Sequence, residues 1–224
     1  MEKLKNLQLE LYIAEELNDK RKIKSTKEKI KRLESKGVNQ MGLDMYFIKK
    51  RYIGGNYEHR KITGNIDIKK DDKQIPLNLN KISYIEEDAG YWRKANAIHK
   101  WFVDNVQDGN DDCREYWVSR EKMKELLDLC KKVKEIAILK EGKIQNGERL
   151  ENGKWVPIMV DGKYIENEEE VAELLPTQDG FFFGGTQYDE WYLQDVDNTI
   201  EILENALKES ENDYEVDFYY TSSW

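Results

Sequence analysis

The segment Gly90-Tyr-Trp-Arg-Lys-Ala-Asn-Ala-Ile-His-Lys-Trp-Phe-Val-Asp-Asn-Val106 places apolar residues at the spacing of one helical face. Tyr91, Ala95, Ile98 and Phe102 form this inner stripe. A period of three to four residues predicts an amphipathic helix over 90–106. Three further helices are indicated downstream. The first begins after Ser119, which we expect to cap it. The second is short and runs from Asn167 to Leu175, and the third opens at Thr186 with Asp189 and runs to about Lys208.

The segments around these helices have the alternating pattern of β-strands. Leu43, Met45 and Phe47 alternate with polar neighbours in a strand that we expect to run to Ile53, and 214–220 alternates in the same way at the carboxyl end. Strands and helices follow one another without a regular βαβ rhythm. We therefore predict an α+β fold, with an antiparallel or mixed sheet and helices packed on one face.

The chain is predicted to have one domain and one appendage. Residues 1–40 read as a helical extension with a weak apolar stripe that ends near Gly37, and residues 41–224 as a single α+β domain. Asn-Gly and Asp-Gly steps recur between 139 and 165. Because such steps favour tight hairpin turns, we expect a small β meander or hairpin inserted there.

Composition limits the classes of function. The 224 residues include 45 acidic and 36 basic side chains, two cysteines and no long apolar run. These features predict a protein of a reducing cytoplasm with no membrane contact and no disulfide framework. The spacing of His59, His99, Cys113 and Cys130 fits no metal site. We expect no metal, no cofactor and no direct contact with nucleic acid.

The predicted helix 90–106 and the loop after it hold the densest group of chemically useful side chains. Candidate pocket residues are Trp92, Arg93, Asn96, His99, Asp112 and Cys113. A histidine suits proton transfer near neutral pH, and a nearby cysteine could serve as a nucleophile if the two side chains met. The alternative is a half-buried helix flank whose polar groups satisfy the backbone. We further expect Cys130 to be buried and Cys113 to be the accessible thiol.

The carboxyl-terminal third is strongly acidic: residues 166–217 carry 17 Asp and Glu against Lys208 alone. On the last helix, one outward row comprises Glu190, Asp197, Glu201 and Glu204. Neighbours in such a row lie roughly 5–6 Å apart and repel one another. The row is a candidate partner-binding surface that imitates a phosphate backbone. It is equally the ordinary solvated face of an acidic protein.

Seven segments form a distinctive combination: Met41-Gly-Leu-Asp-Met-Tyr46, the 90–103 segment quoted above, Asp111-Asp-Cys113, Ser119-Arg-Glu121, Leu175-Pro-Thr-Gln-Asp-Gly-Phe-Phe-Phe-Gly184, Tyr188-Asp-Glu-Trp-Tyr192 and the terminal Phe218-Tyr-Tyr-Thr-Ser-Ser-Trp224. Together, over roughly 41–224, they resemble a family of small proteins encoded by bacteriophages and prophages of Firmicutes. The resemblance implies an accessory phage gene and fixes no site residue.

Three functions follow as hypotheses. The first is a phage accessory protein that binds a host protein and inhibits a bacterial defence or nucleic-acid-processing factor without catalysis. The second, from another class, is a small-molecule or nucleotide-binding protein, or an enzyme, with a pocket around His99. The third is a self-assembling structural protein that forms homo-oligomers through residues 1–36.

Overall fold

The computed structural model describes residues 22, 26–27, 42–54, 58–60, 64, 67–151, 153–180, 183–213 and 215–224. The predicted helical extension 1–40, and with it the proposed oligomer contact through 1–36, lies outside the described residues apart from three isolated positions. The described part has the α+β architecture that the sequence predicts, with antiparallel sheets and four α-helices.

The strands and helices alternate irregularly along the chain. In order they are β1 (Asp44–Tyr52), β2 (Lys69–Lys70), β3 (Lys73–Gln74), β4 (Tyr84–Arg93), α1 (Asn96–Asn105), β5 (Tyr116–Val118), α2 (Arg120–Ile136), β6 (Leu139–Glu151), β7 (Lys154–Ile165), α3 (Glu168–Leu174), α4 (Glu190–Glu209) and β8 (Val216–Ser223). Short 3-10 turns occupy Glu58–Arg60 and Leu79–Lys81.

The main sheet has four antiparallel strands in the order β4-β1-β8-β5. The carboxyl-terminal strand β8 therefore lies between β1 and β5, where it pairs with both. Its alternation is the one expected from the sequence: Val216, Phe218, Tyr220 and Ser222 are buried, and the residues between them are partly exposed. The last strand of the domain thus lies inside the sheet and is hydrogen-bonded to the first strand, β1.

One face of this sheet is covered by α1, α2 and α4. Phe102 of α1 stacks on Tyr220 of β8 with ring centroids 3.9 Å apart. The indole nitrogen of Trp92 donates to the hydroxyl of Thr199 on α4 at 2.9 Å. Gly90 of β4 is in direct contact with α4, since a side-chain carbon added there would overlap Ile202. The core is thus continuous from the sheet to the helices.

The helix predicted over 90–106 is wrong at its amino-terminal end. Residues up to Arg93 belong to β4, and α1 begins only at Asn96. Lys94, with φ of 63°, turns the chain between the two elements. Tyr91 is consequently 46% exposed on the far side of the sheet, although the helical stripe had placed it inward. Trp92 faces the core from the strand and shares no helical face with Asn96 or His99.

Residues 139–165 form a long two-stranded hairpin rather than a meander. The strands β6 and β7 pair from Leu139 with Ile165 to Glu151 with Lys154. Of the three candidate turn steps, the second, which ends at Gly153, lies where the chain reverses. Asn146–Gly147 produces a bulge in β6, and Asp161–Gly162 lies within β7, where Gly162 faces Gly142. Strand pairing therefore overrides two of the three local turn signals.

Two helices begin with a side-chain cap, and the cap at Ser119 is the one that the sequence predicts. The hydroxyl of Ser119 accepts a hydrogen bond from the backbone N–H of Lys122 at the start of α2. The carboxylate of Asp189 accepts from the N–H groups of Trp191 and Tyr192 at the start of α4. The cap at Asp189 fixes the first turn of α4, which forms one wall of the cleft described below.

Candidate functional site

The six candidate pocket residues do not converge on one point. Trp92 is a core residue, with its only polar atom bonded to Thr199. Arg93 and Asn96 line a surface cleft. His99 lies in the core, and neither it nor Asp112 nor Cys113 is part of the lining of that cleft. The six residues therefore lie in three places: Arg93 and Asn96 in the cleft, Trp92 and His99 in the core, and Asp112 and Cys113 on the loop after α1.

His99 is fully buried, and both of its ring nitrogens have partners. Its Nδ1 atom lies 2.7 Å from the Tyr220 hydroxyl, and its Nε2 atom lies 3.0 Å from the carboxylate of Asp111. The indole nitrogen of Trp224 donates to the same carboxylate at 3.0 Å. Burial lowers the pKa of His99, although Asp111 opposes that effect. The ring links α1, the following loop and β8, which favours a structural role.

Asp112 and Cys113 lie on the outside of that loop. The carboxylate of Asp112 binds the Arg114 guanidinium and accepts from the Tyr116 hydroxyl, and Arg114 holds its pKa below the usual value. Cys113 is exposed with φ of 58°. Cys130 is buried in α2, and burial raises its pKa to about 12. The predicted difference in accessibility between the two thiols is confirmed.

Asn96 fastens a loop to the start of α1. Its side-chain nitrogen donates to the backbone oxygens of Phe183 and Gly185 at 3.2 and 2.7 Å, and its side-chain oxygen accepts from the N–H of Gln178 at 3.1 Å. The amide is 4% exposed, and all three of these bonds hold one loop. Asn96 therefore shapes the floor of the cleft, where an Asp could not make the two donations.

The cleft has a volume of about 1000 Å³ and four walls. The turn between β4 and α1 supplies residues 93–98, and the loop held by Asn96 supplies positions between 177 and 187. The first two turns of α4 and the bulged part of β6, residues 145–148, complete it. Gln187 donates to Gln145 at 3.3 Å and so joins the loop to the hairpin. Segments distant in sequence thus build one concave surface.

Two carboxylates on the α4 side of the cleft have raised pKa values. Burial and the nearby charge of Asp189 raise the pKa of Asp195 to about 7. Burial also raises the pKa of Asp189, against its two backbone hydrogen bonds. No side chain in the described part of the protein pairs with the Asp195 carboxylate. A partly desolvated acid without a partner in a cleft is a functional-site candidate on physical grounds.

Asp195 is not among the predicted site residues, although the sequence contains a signal for it. An acidic residue between Tyr192 and Thr199 interrupts the buried face of α4, where a carboxylate costs free energy unless something satisfies it. Asp112 is among the candidate pocket residues, whereas its neighbour Asp111 makes the contact with His99. Both errors arise from turn and helix geometry that spacing alone does not define.

The acidic row is partly neutralised by α2. The ammonium groups of Lys131 and Lys134 lie 2.7 and 2.5 Å from the carboxylates of Glu204 and Asp197. Glu201 is exposed, and Glu190 lies in the first turn of α4. Lys208 is the one basic residue that the sequence of 166–217 contains, but these two lysines reach the row from another helix. The row remains a candidate surface with reduced net charge.

Comparisons with known proteins give no match for this chain. No protein-family model matches the chain, no curated protein is similar to it, and no solved structure shares its fold at a significant level. Among the described residues, no group of three or more His, Cys, Asp or Glu side chains could hold a metal ion. Within the same residues, no helix is long and apolar enough to cross a membrane.

Proposed function

We propose that this chain is a bacteriophage accessory protein that acts in the bacterial cytoplasm by binding a host protein. The host protein belongs to a defence system or to nucleic-acid processing, and binding inhibits it without catalysis by this chain. The phage origin is supported by the motifs that resemble the prophage family. The mode of action is supported by the cleft beside α4.

The observation that carries the proposal is the size and lining of this cleft. Its volume of about 1000 Å³ lies at the upper end of the range for small-molecule pockets, and polar side chains from four segments line it. The charged lining residues are mostly acidic: Arg93 and Lys94 against Glu148, Asp179, Asp189 and Asp195. An open, acidic cleft suits an extended polypeptide segment better than a compact metabolite.

The environment of His99 supports binding rather than catalysis. A general base must reach the proton of its substrate or nucleophile. The His99 ring is 0% exposed, and both nitrogens are engaged by Tyr220 and Asp111. A role in proton transfer would require the core to open around α1.

The test is affinity capture of host proteins with a tagged full-length chain and two matched variants. Gln194→Trp places a bulky ring in the cleft from an exposed position of α4. Asn205→Trp makes the same change at an exposed position of the same helix, away from the cleft. We expect the wild type and Asn205→Trp to retain the same host protein, and Gln194→Trp to lose it.

Two results would contradict the proposal. One is the absence of any specifically retained host protein with the wild type. The other is equal retention by both tryptophan variants, which would show that the partner does not enter the cleft. Thermal unfolding of the three proteins checks that each is folded, since both substitutions are at exposed positions.

A further inference from the structure

We propose that the cleft receives a cationic side chain of the partner, an arginine or a lysine, whose charged head lies against the carboxylate of Asp195. This inference rests on the proposed function, since it names the chemistry by which that same cleft recognises a polypeptide.

The position of Asp195 supports this assignment. It lies on α4 between Tyr192 and Thr199, both buried, so its side chain leaves the helix beside the core and not from the solvent face. It lines the cleft together with Val196 and Trp191. Its carboxylate has no hydrogen-bond or ion-pair partner among the described residues. The cleft therefore contains an acceptor for a charged donor that none of the described residues supplies.

The cations of the cleft leave Asp195 unsatisfied. The guanidinium of Arg93 is directed to Asp44 at 3.9 Å on the sheet side. Burial and the like charge of Asp189 set the pKa of Asp195, and neither Arg93 nor Lys94 lowers it. A guanidinium or ammonium group bound there would lower the pKa of Asp195, since an opposite charge within about 4–6 Å favours the ionised carboxylate.

The surroundings of Asp195 can also bind the aliphatic stem and the backbone of a basic residue. Trp191 is 53% exposed at the edge of the cleft, and an indole ring is the preferred surface for stacking of a guanidinium or of an aliphatic stem. The side chains of Gln145 and Gln187, which are hydrogen-bonded to each other, also line the cleft. Such amides can bond the backbone of an extended segment. Charge and stacking together favour arginine over lysine.

The experiment measures binding of a defined probe by the full-length protein. The probe is the acetylated and amidated peptide Gly-Arg-Gly-Arg-Gly. The control probe is the same peptide with citrulline in place of both arginines. Citrulline keeps the shape and removes the charge. We expect the arginine peptide to bind at least tenfold more tightly, since hydrogen bonds to charged groups are worth about twice neutral ones.

The matched variants are Asp195→Asn and Glu209→Gln. Glu209 lies in the last turn of α4, outside the cleft and the acidic row, where it pairs with Lys49. We expect Asp195→Asn to weaken the arginine peptide about tenfold or more and Glu209→Gln to leave it within twofold. Equal binding of arginine and citrulline peptides by the wild type, or unchanged binding by Asp195→Asn, would overturn the inference.

The outcomes separate this inference from the proposed function. If Asp195→Asn retains the captured host protein while Gln194→Trp loses it, the cleft is the binding surface but its ligand is not a cation at Asp195. If the arginine peptide depends on Asp195 while no host protein is captured, the cation site stands and the host-binding function fails. Thermal unfolding of Asp195→Asn confirms its fold in either case.

Discussion

The Nδ1 atom of His99 and the hydroxyl of Tyr220, from residues 121 positions apart in the chain, lie 2.7 Å from each other in the core. His99 belongs to α1, and Tyr220 belongs to the central strand of the sheet. The same imidazole reaches Asp111 through Nε2. One side chain thus connects the helix, the loop and the carboxyl-terminal strand.

We expect His99→Ala to lower the free energy of unfolding by about 3 kcal/mol, because it leaves a cavity and removes a hydrogen-bond partner from the buried Tyr220 hydroxyl and from the partly buried Asp111 carboxylate. Tyr220→Phe removes one hydroxyl and should cost about 1 kcal/mol. Urea unfolding measures both values. Retention of the host partner by folded His99→Ala supports the structural role. A variant of wild-type stability that fails to bind would instead place His99 in a functional site.

Asn96→Ala should loosen the loop between 177 and 187, because three hydrogen bonds to one loop depend on this amide. We expect a loss of about 2–4 kcal/mol in unfolding free energy and faster proteolytic cleavage in that loop. Asn96→Asp should be no better, since a carboxylate would face the carbonyl oxygens of Phe183 and Gly185. Limited proteolysis with mass spectrometry locates the cleavage. Wild-type resistance of the loop in both variants would disprove this role.

Asp195→Asn should stabilise the protein in a pH-dependent manner. The folded-state pKa of about 7 is higher than the ordinary aspartate value of 3.8, so the folded chain holds the proton more tightly than the unfolded chain. The cost of ionised Asp195 is therefore absent near pH 4, increases through the interval between the two pKa values and is complete above pH 7. Replacement by Asn should increase the unfolding free energy by about 1–4 kcal/mol at pH 8 and by little at pH 4.

Thermal and urea unfolding from pH 4 to pH 8 test this dependence. The charged groups that face Asp195 across the cleft or precede it on α4 are Asp189, Arg93, Lys94, Asp179 and Glu148. All of them are present in both proteins, so the difference between variant and wild type isolates Asp195. Asp197→Asn is the control and should show no such trend. A stabilisation that does not grow with pH would mean that Asp195 is ionised and solvated in the folded state.

The acidic row is expected to act on association rates and hardly at all on stability. Replacing Glu190, Asp197, Glu201 and Glu204 by Gln or Asn loses two surface ion pairs and relieves repulsion, so the net change should stay within about 1 kcal/mol. Association with the captured host protein should slow, and more so at low salt.

The reverse change provides the control. Lys131→Gln with Lys134→Gln exposes the charges of Glu204 and Asp197 and should speed association. Stopped-flow or surface-based kinetics at several salt concentrations measure both. Unchanged association rates in both variants would show that the row is only a solvated surface.

Local patterns in the sequence predicted much of the fold. The cap at Ser119, the alternation of β8 and the apolar face of α2 depend on neighbours within a few residues, and they appear as expected. The start of α1 could not be predicted from the sequence. Tyr91 and Ala95 are four residues apart, as on one helical face, although Tyr91 belongs to a strand and Ala95 directly precedes the helix. The periodic stripe continued by coincidence across a change of structure.

The candidate site was less predictable because its walls come from distant segments. The cleft exists only once α4, the hairpin and the loop at Asn96 are assembled. The ion pairs of Lys131 and Lys134 with the acidic row likewise cross from α2 to α4, and no spacing within one helix reports them. One part of the site could have been predicted from a sequence pattern. Asp195 is a carboxylate on an otherwise buried face of α4.

Hydrogen–deuterium exchange of the full-length chain, with and without the captured host protein, tests most directly whether the cleft is the binding surface. If the partner binds in the cleft, exchange should slow in 93–98, in the loop between 177 and 187 and in the first turns of α4. The variant Asn205→Trp should show the same protection as the wild type. Protection confined to α2 and the outer row of α4, with exchange around the cleft unchanged, would contradict binding in the cleft.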